Sequence, residues 1–98
     1  MYVLDLSLSN KLLYDGCVIE ELPGKKNLLT PPIEASYIIC NNLQKILDSI
    51  LEKNEISLTG GMAIWAYLLV FHMVVHRFKK VYYDDAKGML PLLIAAHG

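Results

Sequence analysis

The sequence predicts an α+β fold, a two-layer sandwich in which two helices cover one face of a mixed β-sheet. The chain has 98 residues, the usual size of a single domain, and 54% of them are hydrophobic. Two segments carry apolar residues at helical spacing, and the other apolar segments are short, as strands are. The predicted order of elements is β-β-α-β-α-β-β, a ferredoxin-like variant, with residues 1–98 forming one domain.

The first half of the chain contains two predicted strands and one predicted helix. Residues 2–9 alternate as a strand does, and residues 11–22 form a second strand with a bulge at Gly16. Residues 23–32 are rich in turn formers and predict a loop. A helix follows, with Thr30 as its capping residue. Its apolar face contains Leu43, Ile46, Leu47, Ile50 and Leu51.

The second half predicts three strands around a strongly apolar helix. Residues 55–58 read as a short strand, and the Thr-Gly-Gly turn at 59–61 leads directly into the helix. Because this helix is apolar almost all round, we expect it to be buried on more than one side. Residues 80–85 and 89–96 predict two further strands, and Pro91 places the last one at a sheet edge or a bulge.

Composition and charge limit the classes of partner. The net charge is −1, so no overall positive field attracts nucleic acid, and nucleotide binding must be local. The apolar run at 62–75 is shorter than the roughly 20 residues that span a bilayer. Cys17 and Cys40 lack motif spacing and the start of the chain lacks signal-peptide features, so we expect reduced cysteines and a cytoplasmic protein. The apolar excess predicts burial against a second subunit.

Two histidines and a carboxylate are candidates for chemistry. His72 and His76 are four residues apart and therefore share a helix face. Asp84 lies at the end of the next predicted strand, so the three side chains are expected at one edge of the sheet. Imidazole and carboxylate suit a divalent metal, and imidazole also suits acid–base work. The alternative is that His72 is a hydrogen-bonded core residue and that His76 marks the helix end.

The Thr-Gly-Gly turn has two interpretations. A strand followed by glycines and a helix start exposes backbone N–H groups, which bind phosphate. Thr59, Gly60 and Gly61 are therefore candidate ligand-binding residues, although a plain turn would have the same sequence. Trp65 follows one turn into the helix, either as a base-stacking platform or as a core residue.

The segment SLTGGMAIWAYLLVFHMVVHRFKKVYYDDAKGMLPLLIAAH resembles a known family. The family is the small CRISPR-associated protein of type III systems that is third in the Csx series. The shared pattern is a glycine-containing turn, Ile-Trp at a helix start, histidines further along the helix, a strand ending in Tyr-Asp, a second glycine turn and a late histidine. The resemblance covers about the last 40 residues, in which the pattern falls on Gly60, Gly61, Ile64, Trp65, His72, His76, Tyr83, Asp84, Gly88 and His97.

The resemblance implies a ring nuclease that binds and cleaves cyclic tetraadenylate, the second messenger of type III antiviral defence. It also implies manganese dependence and a homodimer, with the ligand held between two dimers in a composite site; no DNA or membrane partner is expected. The implied catalytic residues are His72, His76 and Asp84. The implied ligand-binding residues are Thr59, Gly60, Gly61, Trp65 and Lys87. The implied ligands of Mn²⁺ are His72, Asp84 and His97.

Two positions depart from the family pattern. Val75 stands where the family has its second helix histidine, and Ala86 stands where the family has an arginine. The neighbouring Lys87 lacks the planar fork with which arginine clamps phosphate. Alternatives are therefore a non-cleaving binder or sensor of cyclic oligoadenylate, a manganese-dependent RNA deadenylase, and an interaction domain whose histidines only pack.

Overall fold

A computed structural model of the protein describes residues 1–88 and 90–97. Within these residues the chain forms six strands and two helices. They are β1 (Tyr2–Asp5), β2 (Ile19–Leu22), β3 (Lys25–Leu28), α1 (Pro32–Ser49), β4 (Glu55–Thr59), α2 (Ile64–Val75), β5 (Lys80–Asp84) and β6 (Leu92–Ala96). The predicted α+β class is confirmed, and the order roughly matches a ferredoxin-like arrangement with one additional strand.

The main sheet has four strands in the order β1-β4-β5-β6. β1 and β5 both pair with β4 in parallel, and β6 pairs with β5 in antiparallel. The connection from β1 to β4 contains the β2–β3 hairpin and α1, and the connection from β4 to β5 contains α2. Both crossovers therefore step in the same direction across the sheet. Because such crossovers are right-handed, both helices lie on the same face, as predicted.

The core lies between this face and the helices. It is an apolar cluster that the sheet and both helices share, and its members include Leu4, Ile39, Leu43, Leu47, Ile56, Leu58, Val70, Val74 and Val81. Ile56, Ser57 and Leu58 of β4 are all buried, and β4 pairs with a strand on each side. β4 is therefore an inner strand of the sheet that contributes to the core.

Helix α1 starts at Pro32, where proline fits the first turn. The N-cap residue is Pro31 and no side chain caps the helix, so the prediction that Thr30 caps it is wrong. The Thr30 hydroxyl instead accepts a 2.7 Å hydrogen bond from the N–H of Val18 and so ties the helix start to the segment before β2. Of the predicted apolar face, Leu43 and Leu47 are buried.

Helix α2 buries one stripe, formed by Ala66, Val70 and Val74. Ile64 and Leu68 lie outside it and are 78% and 65% exposed. Residues on both sides of the stripe, such as Trp65 and Tyr67, are partly buried against the core, so α2 is covered on more than one side and leaves one exposed face. Neither helix in the described part of the chain is long and apolar enough to cross a membrane.

The first predicted strand is shorter than its sequence pattern indicates. β1 ends at Asp5, because the Asp5 carboxylate accepts hydrogen bonds from Ser7 at its backbone N–H (2.8 Å) and its hydroxyl (3.0 Å). These bonds fold the chain into a turn in place of the predicted strand end at residue 9. The predicted strand over 11–22 is also wrong in its first half, where residues 11–16 form turns.

The predicted loop over 23–32 contains a strand. β3 (Lys25–Leu28) pairs with β2 in a separate antiparallel hairpin that turns at Pro23 and Gly24. Its first three residues, Lys-Lys-Asn, carry no hydrophobic alternation, which is why the sequence pattern did not show a strand.

The predicted strands of the second half are present with shifted ends. β4 extends to Thr59, α2 begins three residues after the glycine turn, and β5 ends at Asp84. β6 begins at Leu92, later than the predicted residue 89, which lies outside the described residues. It is an edge strand directly after Pro91, as predicted, and the register shifts opposite Val81 and Tyr82.

Candidate functional site

The carboxyl ends of the three parallel strands meet at one edge of the sheet. Asp5, Thr59 and Asp84 end β1, β4 and β5 and lie in register across them. We call this the carboxyl edge. The Thr59 hydroxyl donates a 2.8 Å hydrogen bond to the carbonyl of Asp84, so the two strand ends are fastened together. Open α/β sheets bind ligands at this kind of edge.

Gly60 brings the β4–α2 turn against the end of β1. Its φ is +98°, which side chains disfavour. A Cβ built on it would lie 2.2 Å from Asp5 Oδ1 and 2.8 Å from the Ser7 nitrogen. The Asp5 carboxylate therefore occupies the space next to the glycine Cα. Asp5 is not predictable as a site residue from the sequence, because an acid at the end of an alternating strand has no motif of its own.

Tyr67 in the first turns of α2 fastens the same turn from the other side. Its hydroxyl donates to the carbonyl of Gly60, and its ring meets Tyr83 edge-on at a centroid distance of 5.6 Å. Burial, and after it the charges of Tyr83 and Asp5, together raise the pKa of Tyr67 to about 12. The neutral phenol is the form that supports the turn.

We expect the free energy of unfolding to fall as pH rises from about 10 to about 12, because Tyr67 keeps its proton in the folded chain longer than in the unfolded chain. This contribution is fully present below pH 10 and is lost as the phenol ionises. Urea unfolding at several pH values should show a shallower loss for Tyr67→Phe. Tyr37→Phe, on the exposed surface of α1, is the control. An equal loss in wild type and Tyr67→Phe would contradict this assignment.

The start of α2 leaves backbone donors open. The N–H groups of Gly61, Met62 and Ala63 have no backbone acceptor among the residues that the structure describes, and no side chain caps the helix. Trp65 is half-buried and packs against the core, while it also lines a cleft beside this turn. The structure thus places Thr59, Gly60, Gly61 and Trp65 together.

A groove runs between the glycine turn and the β2–β3 hairpin. It consists of two adjoining clefts of ≈ 450 Å³ and ≈ 360 Å³, which share Leu8, Lys26 and Gly61 as lining residues. We call it the hairpin groove. Lys25 also lines it. Neither lysine is among the predicted site residues, although two adjacent lysines after Pro-Gly are a visible signal for a charged hairpin.

Two aspartates hold the loop after β5 in place through hydrogen bonds to its backbone. Asp84 Oδ1 accepts a 2.8 Å hydrogen bond from the Ala86 N–H, and Asp85 Oδ1 accepts a 3.0 Å bond from the Lys87 N–H. Ala86 has a φ of +61°, a conformation that is uncommon without glycine. Lys87 is exposed just beyond the carboxyl edge.

The histidines lie at the other end of the sheet. His72 and His76 are exposed, and their rings meet nearly at right angles with centroids 5.2 Å apart. They are therefore not buried packing residues in this chain. The His97 N–H donates to the carbonyl of Lys79 at 2.6 Å, which places it beside the start of β5.

Helix direction explains this separation. α2 begins near the carboxyl edge and returns the chain to the start of β5, so residues late in α2 lie toward the opposite, amino edge. With a rise of about 3.3 Å per strand residue, the backbones of Lys79 and Asp84 are about 16 Å apart. Within one chain, the structure does not bring the histidines and Asp84 together at one edge. The amino edge has a cavity of ≈ 560 Å³, lined by Lys79 and Lys80 among others.

The predicted manganese ligands do not fit one ion within a single chain. Asp84 lies at the carboxyl edge and His97 at the amino edge, and the described residues contain no group of three or more histidine, cysteine or acidic side chains placed to hold a metal. A single ion could contact all three predicted ligands only between two copies.

Comparison with known proteins adds no relative: no family model, no curated protein and no solved structure matches the chain.

Proposed function

We propose that this chain is a ring nuclease that binds cyclic tetraadenylate and cleaves it to linear products, ending type III CRISPR antiviral signalling in a prokaryotic cytoplasm. The observation that supports it is the carboxyl edge, where Thr59 is hydrogen-bonded to Asp84 and the turn at Gly60 and Gly61 adjoins the cleft that Trp65 lines. Open backbone donors, an aromatic ring and a lysine-lined groove suit a ligand with phosphates and bases.

The separation of the histidines from this edge favours a site shared between copies. In our proposal the carboxyl edge of one copy holds the ring, and His72 and His76 of another copy reach its phosphates. Exposed Ile64 and Leu68 on α2 provide apolar surface for contact between copies. A two-fold assembly also suits a cyclic tetranucleotide, whose own symmetry it can match.

The cleavage step requires proton transfer and charge stabilisation. One imidazole accepts the proton of a ribose 2′-hydroxyl, and the 2′-oxygen attacks the adjacent phosphorus. The bond from phosphorus to the 5′-oxygen breaks, and the second imidazole, in its protonated form, donates a proton to that oxygen. The products are a 2′,3′-cyclic phosphate and a 5′-hydroxyl. The 5.2 Å between ring centroids places both imidazoles within reach of one phosphate.

The test is to incubate the protein with labelled cyclic tetraadenylate, with and without Mn²⁺, and to resolve the products. We expect linear products, and a rate lower by about 10²–10⁴-fold in His72→Ala/His76→Ala. In our proposal the Asp84 carboxylate orients an imidazole of the other copy, so Asp84→Asn should be nearly inactive. Asp85→Asn is the matched control because its carboxylate makes the same kind of turn bond. An intact ring without binding would overturn the proposal.

The second candidate function is a binder or sensor that does not cleave. Val75 and Ala86, which stand at two family positions, favour it. An intact ring that co-elutes with the protein would support this candidate. Manganese-dependent removal of adenylates from a linear RNA would instead support the deadenylase alternative.

A further inference from the structure

The β2–β3 hairpin places two lysines opposite the glycine turn. Lys25 and Lys26 are adjacent in β3 and both line the hairpin groove. The Lys26 side chain is 34% exposed, and its ammonium lies 3.7 Å from Glu21 Oε1 across the hairpin. At this distance and exposure the ion pair is weak, so Lys26 remains available to another anion.

The two halves of the groove differ in chemistry. The half at the hairpin tip has Ser7, Ser9 and Lys25 in its wall, whereas the other half has Met62 and Trp65. A ligand that combines a charged backbone with flat rings would match both halves at once. An oligonucleotide has these two properties, and the sharing of Lys26 between the halves lets one ligand span them.

We propose that the hairpin groove binds the backbone of an oligoadenylate, with Lys25 and Lys26 on its phosphates and a base against Trp65. This inference rests on the proposed function and assigns the residues that give it affinity. Lysine ammonium groups make charge-assisted hydrogen bonds to phosphate, which are stronger than neutral ones. Since the whole chain has a net charge of −1, affinity for a polyanion has to come from such a local pair.

Glu21 opposes this binding. Its carboxylate lines the same groove and holds Lys26, so a phosphate must compete with it. Removing the Glu21 charge therefore frees Lys26 and removes repulsion of the ligand. Affinity should rise when the charge of Glu21 in β2 is removed, and it should fall when the charges of Lys25 and Lys26 in β3 are removed.

The experiment measures the dissociation constants of labelled cyclic tetraadenylate and linear tetraadenylate at several salt concentrations. Lys25→Gln/Lys26→Gln should bind roughly tenfold or more weakly, with a shallower dependence on salt. Glu21→Gln should bind more tightly than wild type. Lys45→Gln/Lys53→Gln removes the same charge from α1 and the segment after it, outside the groove, and should bind as wild type does.

Three results decide the matter. Weaker binding in the hairpin double variant but not in the control, with tighter binding in Glu21→Gln, supports the groove. Equal binding by both double variants overturns the groove and leaves the proposed function standing. No binding of either ligand by wild type overturns both.

Discussion

Gly60→Ala should lower the free energy of unfolding by about 2–4 kcal/mol, a large part of the stability of a domain this size. The left-handed φ of +98° strains any side chain. The added Cβ would also lie 2.2 Å from Asp5 Oδ1 and 2.8 Å from the Ser7 backbone nitrogen. A backbone atom cannot move aside as a flexible side chain can, so the turn after β1 has to shift.

Gly61→Ala is the matched control for this prediction. Its Cβ would meet nothing within 4 Å, so stability should change by no more than about 0.5 kcal/mol. Urea unfolding of the two variants beside wild type measures the difference. Equal stability of the two variants would mean that the close approach of Gly60 to Asp5 does not hold in solution.

This pair of glycines also shows what a sequence can and cannot predict about the site. Gly60 and Gly61 were both predicted from the same Thr-Gly-Gly pattern, because a turn between a strand and a helix has a local signature. Only the structure separates their roles, since the need for glycine at position 60 comes from Asp5, which is distant in sequence. A contact between two distant segments cannot be recognised from the sequence of either segment alone.

The hairpin groove was missed for a related reason. Apolar segments predict the elements that enter the core, and α2, β4 and β5 are predicted in this way. β3 begins with Lys-Lys-Asn and packs little into the core, so its pairing with β2 is visible only in three dimensions. The lysines themselves were visible, but without the strand there was no reason to place them beside Gly61.

The direction in which α2 runs along the sheet determines which edge the histidines reach. The i, i+4 spacing of His72 and His76 correctly predicted one shared helix face. It gave no information about which end of the sheet that face reaches. In a parallel βαβ unit the helix returns the chain to the start of the next strand, so residues late in α2 lie away from Asp84, at the end of β5.

A site divided between copies makes the strongest prediction about activity. His72→Ala/His76→Ala keeps an intact carboxyl edge, and Asp84→Asn keeps both histidines, so we expect each variant alone to be nearly inactive. In an equal mixture, sites that take histidines from one variant and Asp84 from the other should form. Random assembly then predicts recovery of about a quarter of the wild-type rate at equal total protein.

The measurement is the cleavage rate of cyclic tetraadenylate as the ratio of the two variants is changed. It should be highest at equal amounts and should fall on dilution below the concentration at which copies associate. Mixing either variant with a His72→Ala/His76→Ala/Asp84→Asn triple variant is the control, because no complete site can form. A mixture no faster than its separate components would place histidines and carboxylate in one copy, against the position of the histidines late in α2, away from the end of β5.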